Sequence, residues 1–189
     1  MFKTIFLFLL EILPLVIFFI IGQYLLFLQA VAGYIFSTMI VIGIIWHIQK
    51  RISYLALIFG GYIIIAGSLS IWLSNPDILL ISDTVYYLVA AIVVGILSRV
   101  KINVMQKLFA HTFAITDRGW QILNQRWTIV LALAGIGNEL VRQFGTTDDW
   151  LLFQVIRTFL ILVFATYQFT LTKKHRLPDA TAWGVAVSK

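Results

Sequence analysis

Five stretches of the chain, 24–46, 54–73, 78–97, 127–144 and 150–171, are apolar almost throughout, and each approaches the length of a membrane span. A helix needs about 20 residues to cross a hydrocarbon core of about 30 Å. No water reaches that core, so a spanning segment must satisfy its amides as a helix or within a closed barrel. Barrel strands alternate apolar and polar residues; the unbroken Leu, Ile, Val and Phe here do not. An all-α, polytopic membrane bundle is therefore expected. Charged residues make up only 12 % of the chain, about half the share in soluble domains. Nearly every residue is taken up by spans and their connections, so residues 1–189 read as one integral membrane domain. The chain has no Cys, which removes disulfides, thiolate metal sites and cysteine nucleophiles together.

The loops set an orientation. Lys50 and Arg51 follow the first long run, whereas Ser74-Asn75-Pro76-Asp77 carries no cation. Arg99, Lys101, Lys107, Arg118 and Arg126 lie between the third and fourth runs; the next loop is acidic through Asp148 and Asp149. Residues 173–189 return to basic with Lys173, Lys174, Arg176 and Lys189. Basic loops face the cytoplasm, so a cytoplasmic C-terminal tail is expected, with loops 74–77 and 145–149 outside. Those loops account for the net charge of +6. No Lys/Arg run is long enough to track a phosphate backbone, so membrane lipids rather than nucleic acid are the expected partners. Trp46, Trp72, Trp127 and Trp150 stand at run ends, where indoles favour the headgroup level.

Two segments admit more than one reading. Residues 5–21 are apolar but short, with Glu11 and Pro14 inside. They form either a sixth span turning at Gly22-Gln23 or a re-entrant or interfacial helix. Pro14 removes an amide donor and restricts Leu13, which predicts a kink. A cleaved signal peptide is disfavoured by Glu11 and by the distance to the small residues at Ala30-Val31-Ala32. Residues 101–125 are too polar to cross. Val104, Met105, Leu108, Phe109 and Thr112 share a helical face, which predicts an interfacial helix over 101–116 with its apolar side towards lipid; the alternative is an ordinary loop. Thr116 or Asp117 is placed to cap the helix that follows.

Charge inside a bilayer needs a partner or a purpose. Glu139 and Arg157 lie at similar distances from the 145–149 turn, so antiparallel packing would bring them together. Arg142, three residues from Glu139, shares its helix face and competes for it. With Asn138 these residues form either a helix-locking ion pair or a polar site for an ion, a proton or a lipid headgroup. Glu11 needs a donor if 5–21 spans, and Asp83 stands close enough to a helix end to be solvated. His47, His111 and His175 are scattered, with no HxxxH or HExxH spacing and no accompanying carboxylates. No GxSxG elbow or phosphate-binding Gly loop follows a strand. Gly60-Gly61, Gly67 and Ser68-Leu69-Ser70 read as small residues that let helices approach. No catalytic, metal or cofactor-binding set is therefore expected.

Glu11-Ile12-Leu13-Pro14-Leu15-Val16-Ile17-Phe18-Phe19 resembles the opening of the YciB, or intracellular septation protein A, family. The same order of motifs continues in Lys107-Leu108-Phe109, Thr116-Asp117-Arg118-Gly119-Trp120, Leu123-Asn124-Gln125-Arg126-Trp127 and Asn138-Glu139. Thr147-Asp148-Asp149-Trp150 and Phe153-Gln154-Val155 complete it. Between about 47 and 97 only the hydropathy corresponds. The family tends to place Lys where Gln154 stands, with Arg157 here supplying a cation one helical turn later; 180–189 has no evident counterpart. The resemblance implies a multi-pass protein of the bacterial cell inner membrane that supports envelope integrity and septation during cell division. It further implies contacts with other inner-membrane division or envelope-synthesis proteins, no enzymatic activity and no cofactor. Glu11, Pro14, Trp120, Asn124, Trp127, Asn138 and Glu139 are its motif positions, with Arg142 and Arg157 added as polar candidates from the residues themselves. The alternative function is a small transporter or lipid-handling channel built around the buried Glu and Arg.

Overall fold

The computed structural model describes residues 2–50, 54–110 and 112–186, which form seven helices. They are α1 (Phe2–Tyr24), α2 (Phe27–Gln49), α3 (Tyr54–Trp72), α4 (Asp77–Arg99), α5 (Val104–Phe109), α6 (Asp117–Phe144) and α7 (Thr147–Lys174). Two isolated bridges are the only extended pairing among the described residues. Phe27–Ile48, Asp77–Arg99 and Thr147–Lys174 are long and apolar enough to cross a membrane; Leu13–Tyr24 and Gly60–Trp72 are shorter apolar helices. The expected span at 127–144 is different. It is the second part of α6, which starts at Asp117, and Asn138, Glu139, Arg142 and Gln143 lower its apolar character. Thr116 does cap it: the hydroxyl accepts the Gly119 amide at 3.2 Å, and Asp117 lies in the positive first turn.

The chain divides into two compact units, Met1–Ser82 and Asp83–Lys189, with the boundary inside α4. In the first, α1 continues as helix through Pro14, which is buried. Phe18 packs against Phe27 and Tyr34, with ring centroids 6.0 and 5.1 Å away. The small residues of α3 act as expected at Gly67, where a Cβ would come within 2.9 Å of Ile35 and 3.1 Å of Val31 on α2. Gly61, by contrast, faces open space. Asn75 turns the chain into α4, its side-chain oxygen accepting the Asp77 amide at 3.0 Å. The Glu11 side chain and His111 lie outside the described residues.

In the second unit, Val94, Met105, Ile115, Trp120, Leu123 and Leu171 form a buried apolar cluster. This corrects the surface helix expected over 101–116. Helix α5 is only six residues long, and Met105 packs into the cluster, with its amide donating to the Asn124 side chain at 2.9 Å. From Thr112 the chain is extended and pairs with the C-terminal tail. Ala114 N donates to Gly184 O at 2.9 Å, Leu177 N to Ala114 O at 3.0 Å, and Thr116 N to His175 O at 2.9 Å. Residues 175–186 therefore fold back over the end of α7, where the Thr172 hydroxyl donates to Trp183 O at 2.7 Å.

Gly184 makes that return possible. Its φ is +73°, and a Cβ there would come within 2.6 Å of Thr172 O. A left-handed L-residue costs about 1–2 kcal/mol even without a clash. Gly184→Ala is expected to lower thermal stability in detergent by at least that amount and to open 175–186 to protease. Unchanged melting and unchanged protection would show that the tail does not depend on this turn.

Candidate functional site

Helices α4, α6 and α7 turn polar residues inward and aliphatic ones outward. On α7, Trp150, Gln154, Arg157 and Gln168 are buried, while Leu152, Ile156, Phe159 and Val163 are exposed. On α4, Asp83, Thr84 and Tyr87 are buried beside exposed Ile81, Val85 and Val89. On α6, Ala134 and Asn138 face in while Ile129, Leu133, Ile136 and Leu140 face out. That inversion of the soluble pattern suits helices surrounded by hydrocarbon, where an inward polar group finds partners and an outward one does not.

The inward residues form a connected network. Arg157 Nη1 donates to Asp83 Oδ2 at 2.6 Å, with both side chains 9 % exposed. Gln154 Nε2 donates to the same oxygen at 2.8 Å and accepts from Arg157 Nη2 through its own carbonyl. The guanidinium also lies over the Tyr87 ring, 4.4 Å from its centroid, a placement that favours a cation. Asn138, fully buried, joins the three helices. Its carbonyl accepts the Trp150 indole at 2.9 Å, and its amide donates to Thr84 Oγ1 at 2.9 Å. Thr84 passes the chain on, donating to Glu139 Oε2 at 3.1 Å. Arg142 closes it with a two-pronged contact to Glu139 at 2.9 and 2.6 Å, and Gln143 adds a third donor at 2.7 Å. The network thus runs from an ion pair in the interior to a half-exposed one, where Arg142 and Glu139 are 24 % and 30 % exposed.

The pairing differs from the expected one. Arg157 meets Asp83, and Glu139 meets Arg142, so the competing Arg142 reading describes Glu139. Equal depth on neighbouring helices does not suffice, because Glu139 is rotated by one residue from inward-facing Asn138. Asp83, expected near water, is 6 % exposed; it pairs with residues more than 70 positions away, which no local pattern signals. Thr84, Tyr87 and Trp150 were likewise not singled out as network members. Trp150 is 3 % exposed, and its indole serves Asn138 rather than a headgroup. Gln154 donates to the same carboxylate as Arg157.

Of two other motif residues, one belongs to a separate polar contact and one to the apolar cluster. Asn124, fully buried, accepts from Met105 N and donates to Asn103 Oδ1 at 3.0 Å, while Trp120 is 2 % exposed within the cluster itself. Half-buried Trp127 stacks edge-on against Phe164 with centroids 5.2 Å apart. Nearby, Arg126 donates to Gln168 Oε1 at 3.0 Å. These contacts tie the start of α6 to α5 and α7. Among the described residues no three of His, Asp and Glu gather as metal ligands would.

A model of the family described as intracellular septation protein A matches residues 6–179. The chain is 30 % identical over 172 residues to the inner membrane-spanning protein YciB of Nitrobacter hamburgensis, covering 89 % of this chain and 85 % of that one. It is 29 % identical over 152 residues to proteins of the same name from Brucella melitensis and Brucella suis, covering 79 % of this chain and 76 % of each relative. No solved structure matches the chain.

A double-mutant cycle tests the interior pair. Asp83→Asn and Arg157→Gln each leave a buried charge without its counter-ion, at a cost of about 3–5 kcal/mol. The double variant should lose much less than the sum, whereas Glu139→Gln combined with Arg157→Gln should be closer to additive. Thermal unfolding in detergent reads both; additive losses for Asp83 and Arg157 would dissolve the pair. Since Gln154 already reaches Asp83, Gln154→Lys should restore part of the stability lost in Arg157→Gln, and no restoration would mean that position 154 cannot supply the cation.

Proposed function

The chain belongs to the intracellular septation protein A family, and from that premise we propose that it is a bacterial inner-membrane protein that supports envelope integrity and septation without catalysing a reaction. It acts as a scaffold for other membrane proteins of division or envelope synthesis. The observation that carries this reading is the mutual engagement of the buried polar groups. The Asp83 carboxylate on α4 is held by a guanidinium and an amide from α7, a use of charge that locks helices together; Glu139 takes its guanidinium and amide from its own helix and reaches α4 through Thr84. Their outward aliphatic faces, such as Ile129, Leu133, Ile136 and Leu140, offer lipid or a partner helix a surface without polar groups. In this reading the five long runs cross the bilayer, α1 is a sixth hydrophobic helix, and the C-terminus lies in the cytoplasm.

One observation favours a second reading, a small transporter or lipid-handling channel. The network is continuous from buried Asp83 to half-exposed Arg142, as a polar path would be. Purified protein in liposomes separates the two. The scaffold reading expects no ion or lipid flux, together with loss of envelope function when Asp83→Asn or Arg157→Gln replaces the wild type in cells. Flux that Glu139→Gln abolishes would favour transport instead. For the orientation, an export-dependent reporter should be active when fused after Asn75 and silent after Lys174; activity at Lys174 would invert the topology.

A further inference from the structure

The tail that folds back over α7 arranges cations that the network does not use. Thr170, Lys173, Lys174 and Arg176 line a shallow, open groove on the surface. Among the described residues, none of those lining it carries a carboxylate. The groove lies at the end of an apolar helix, where a bilayer's headgroups would be met.

Two of its cations are held in place. The Arg176 guanidinium donates to Ala182 O at 3.2 Å, and its backbone is bridged to Ile115. The Lys173 ammonium lies over the Trp183 ring, 5.1 Å from the centroid, and that ring is itself half exposed. The Thr170 hydroxyl donates to Tyr167 O at 2.7 Å, leaving its own oxygen as an acceptor. The negative end of the α7 dipole accounts for lysines in the last turn. It does not account for a return segment that fixes a third cation beside the same groove and sets an indole under one of its lysines. The result is a cluster of exposed cations, two of them fixed in place, to which an anion would be attracted.

We propose that this groove binds the phosphate of an anionic phospholipid headgroup, with Lys173, Lys174 and Arg176 supplying the charge and Trp183 resting at headgroup level. Assigning the headgroup to the cytoplasmic leaflet rests on the orientation given above. The binding test below is made in micelles, where leaflets do not exist, so its failure and that of the orientation are distinguishable.

The full chain in detergent is titrated with phosphatidylglycerol, phosphatidylcholine or inorganic phosphate, and bound adducts are counted by native mass spectrometry. Phosphatidylglycerol should bind in preference to phosphatidylcholine. K173Q/K174Q/R176Q should weaken it at least about tenfold, and R99Q/K107Q/R118Q, which removes as many cations elsewhere, should change it less than about twofold. If the first triple variant does not fold, K173Q/K174Q keeps the Arg176 contact and should still weaken binding. Equal binding of both lipids, equal loss in the two triple variants, or retention in K173Q/K174Q would each overturn the proposal. Saturation by inorganic phosphate in competition with phosphatidylglycerol would identify a free-phosphate site and overturn the lipid assignment.

Discussion

The 2.6 Å contact between Arg157 and Asp83 is the interaction on which the second unit depends. In hydrocarbon a lone guanidinium or carboxylate is costly enough to exclude most arrangements of the helices carrying it. Bringing the two together removes that penalty only where α4 and α7 adopt one relative rotation, so the pair selects a geometry more than it adds net stability. The Tyr87 ring on α4 narrows the choice further by meeting the same guanidinium, which Gln154 steadies from within α7. Asn138 then brings α6 into register through hydrogen bonds to Thr84 and Trp150.

The same constraint explains why small residues occupy the remaining inward positions. Ala134 is buried on α6, and a Cβ at neighbouring Gly135 would come within 2.8 Å of Leu88. Polar contacts of hydrogen-bond length require backbones that approach closely, and helices in lipid gain no hydrophobic drive towards one another. Packing and polar pairing therefore reinforce each other along one face. The outward face is left to aliphatic side chains, which the surrounding solvent selects by composition alone.

At the opposite end of α6 the design changes. The chain leaves helical structure between α5 and α6, and its freed amides and carbonyls are met by the returning tail and by Asn124. Buried backbone groups outside a helix must find partners, and 112–116 and 175–186 provide them for one another. Trp120 and Met105 close the apolar side of this arrangement. The family match ends at residue 179, so the Gly184 turn that completes the return lies beyond it.

Hydropathy was enough to read an all-helical membrane protein, because lipid acts on composition; the residue types at 116–117 marked a cap, which acts within one turn, and the ordered motifs carried the resemblance to the family. The cost of burying polar groups in a bilayer selected Asn138, Glu139, Arg142 and Arg157, which share one network, whereas Asn124 entered only as a motif position. That cost could not decide their partners. Counting back from a turn gives depth along a helix, whereas contact also depends on rotation about the axis, which the packing of all the neighbouring side chains sets. Thus Asp83 was read as solvated and Glu139 as facing Arg157, when rotation turns Asp83 inward and gives Glu139 to Arg142. The tail was legible only as basic, because its pairing with 112–116 joins segments about 60 residues apart through backbone groups that carry no sequence signature. Composition thus selects the solvent and the class of fold, while packing selects which charges meet, since that choice belongs to helices packed together and to no helix alone.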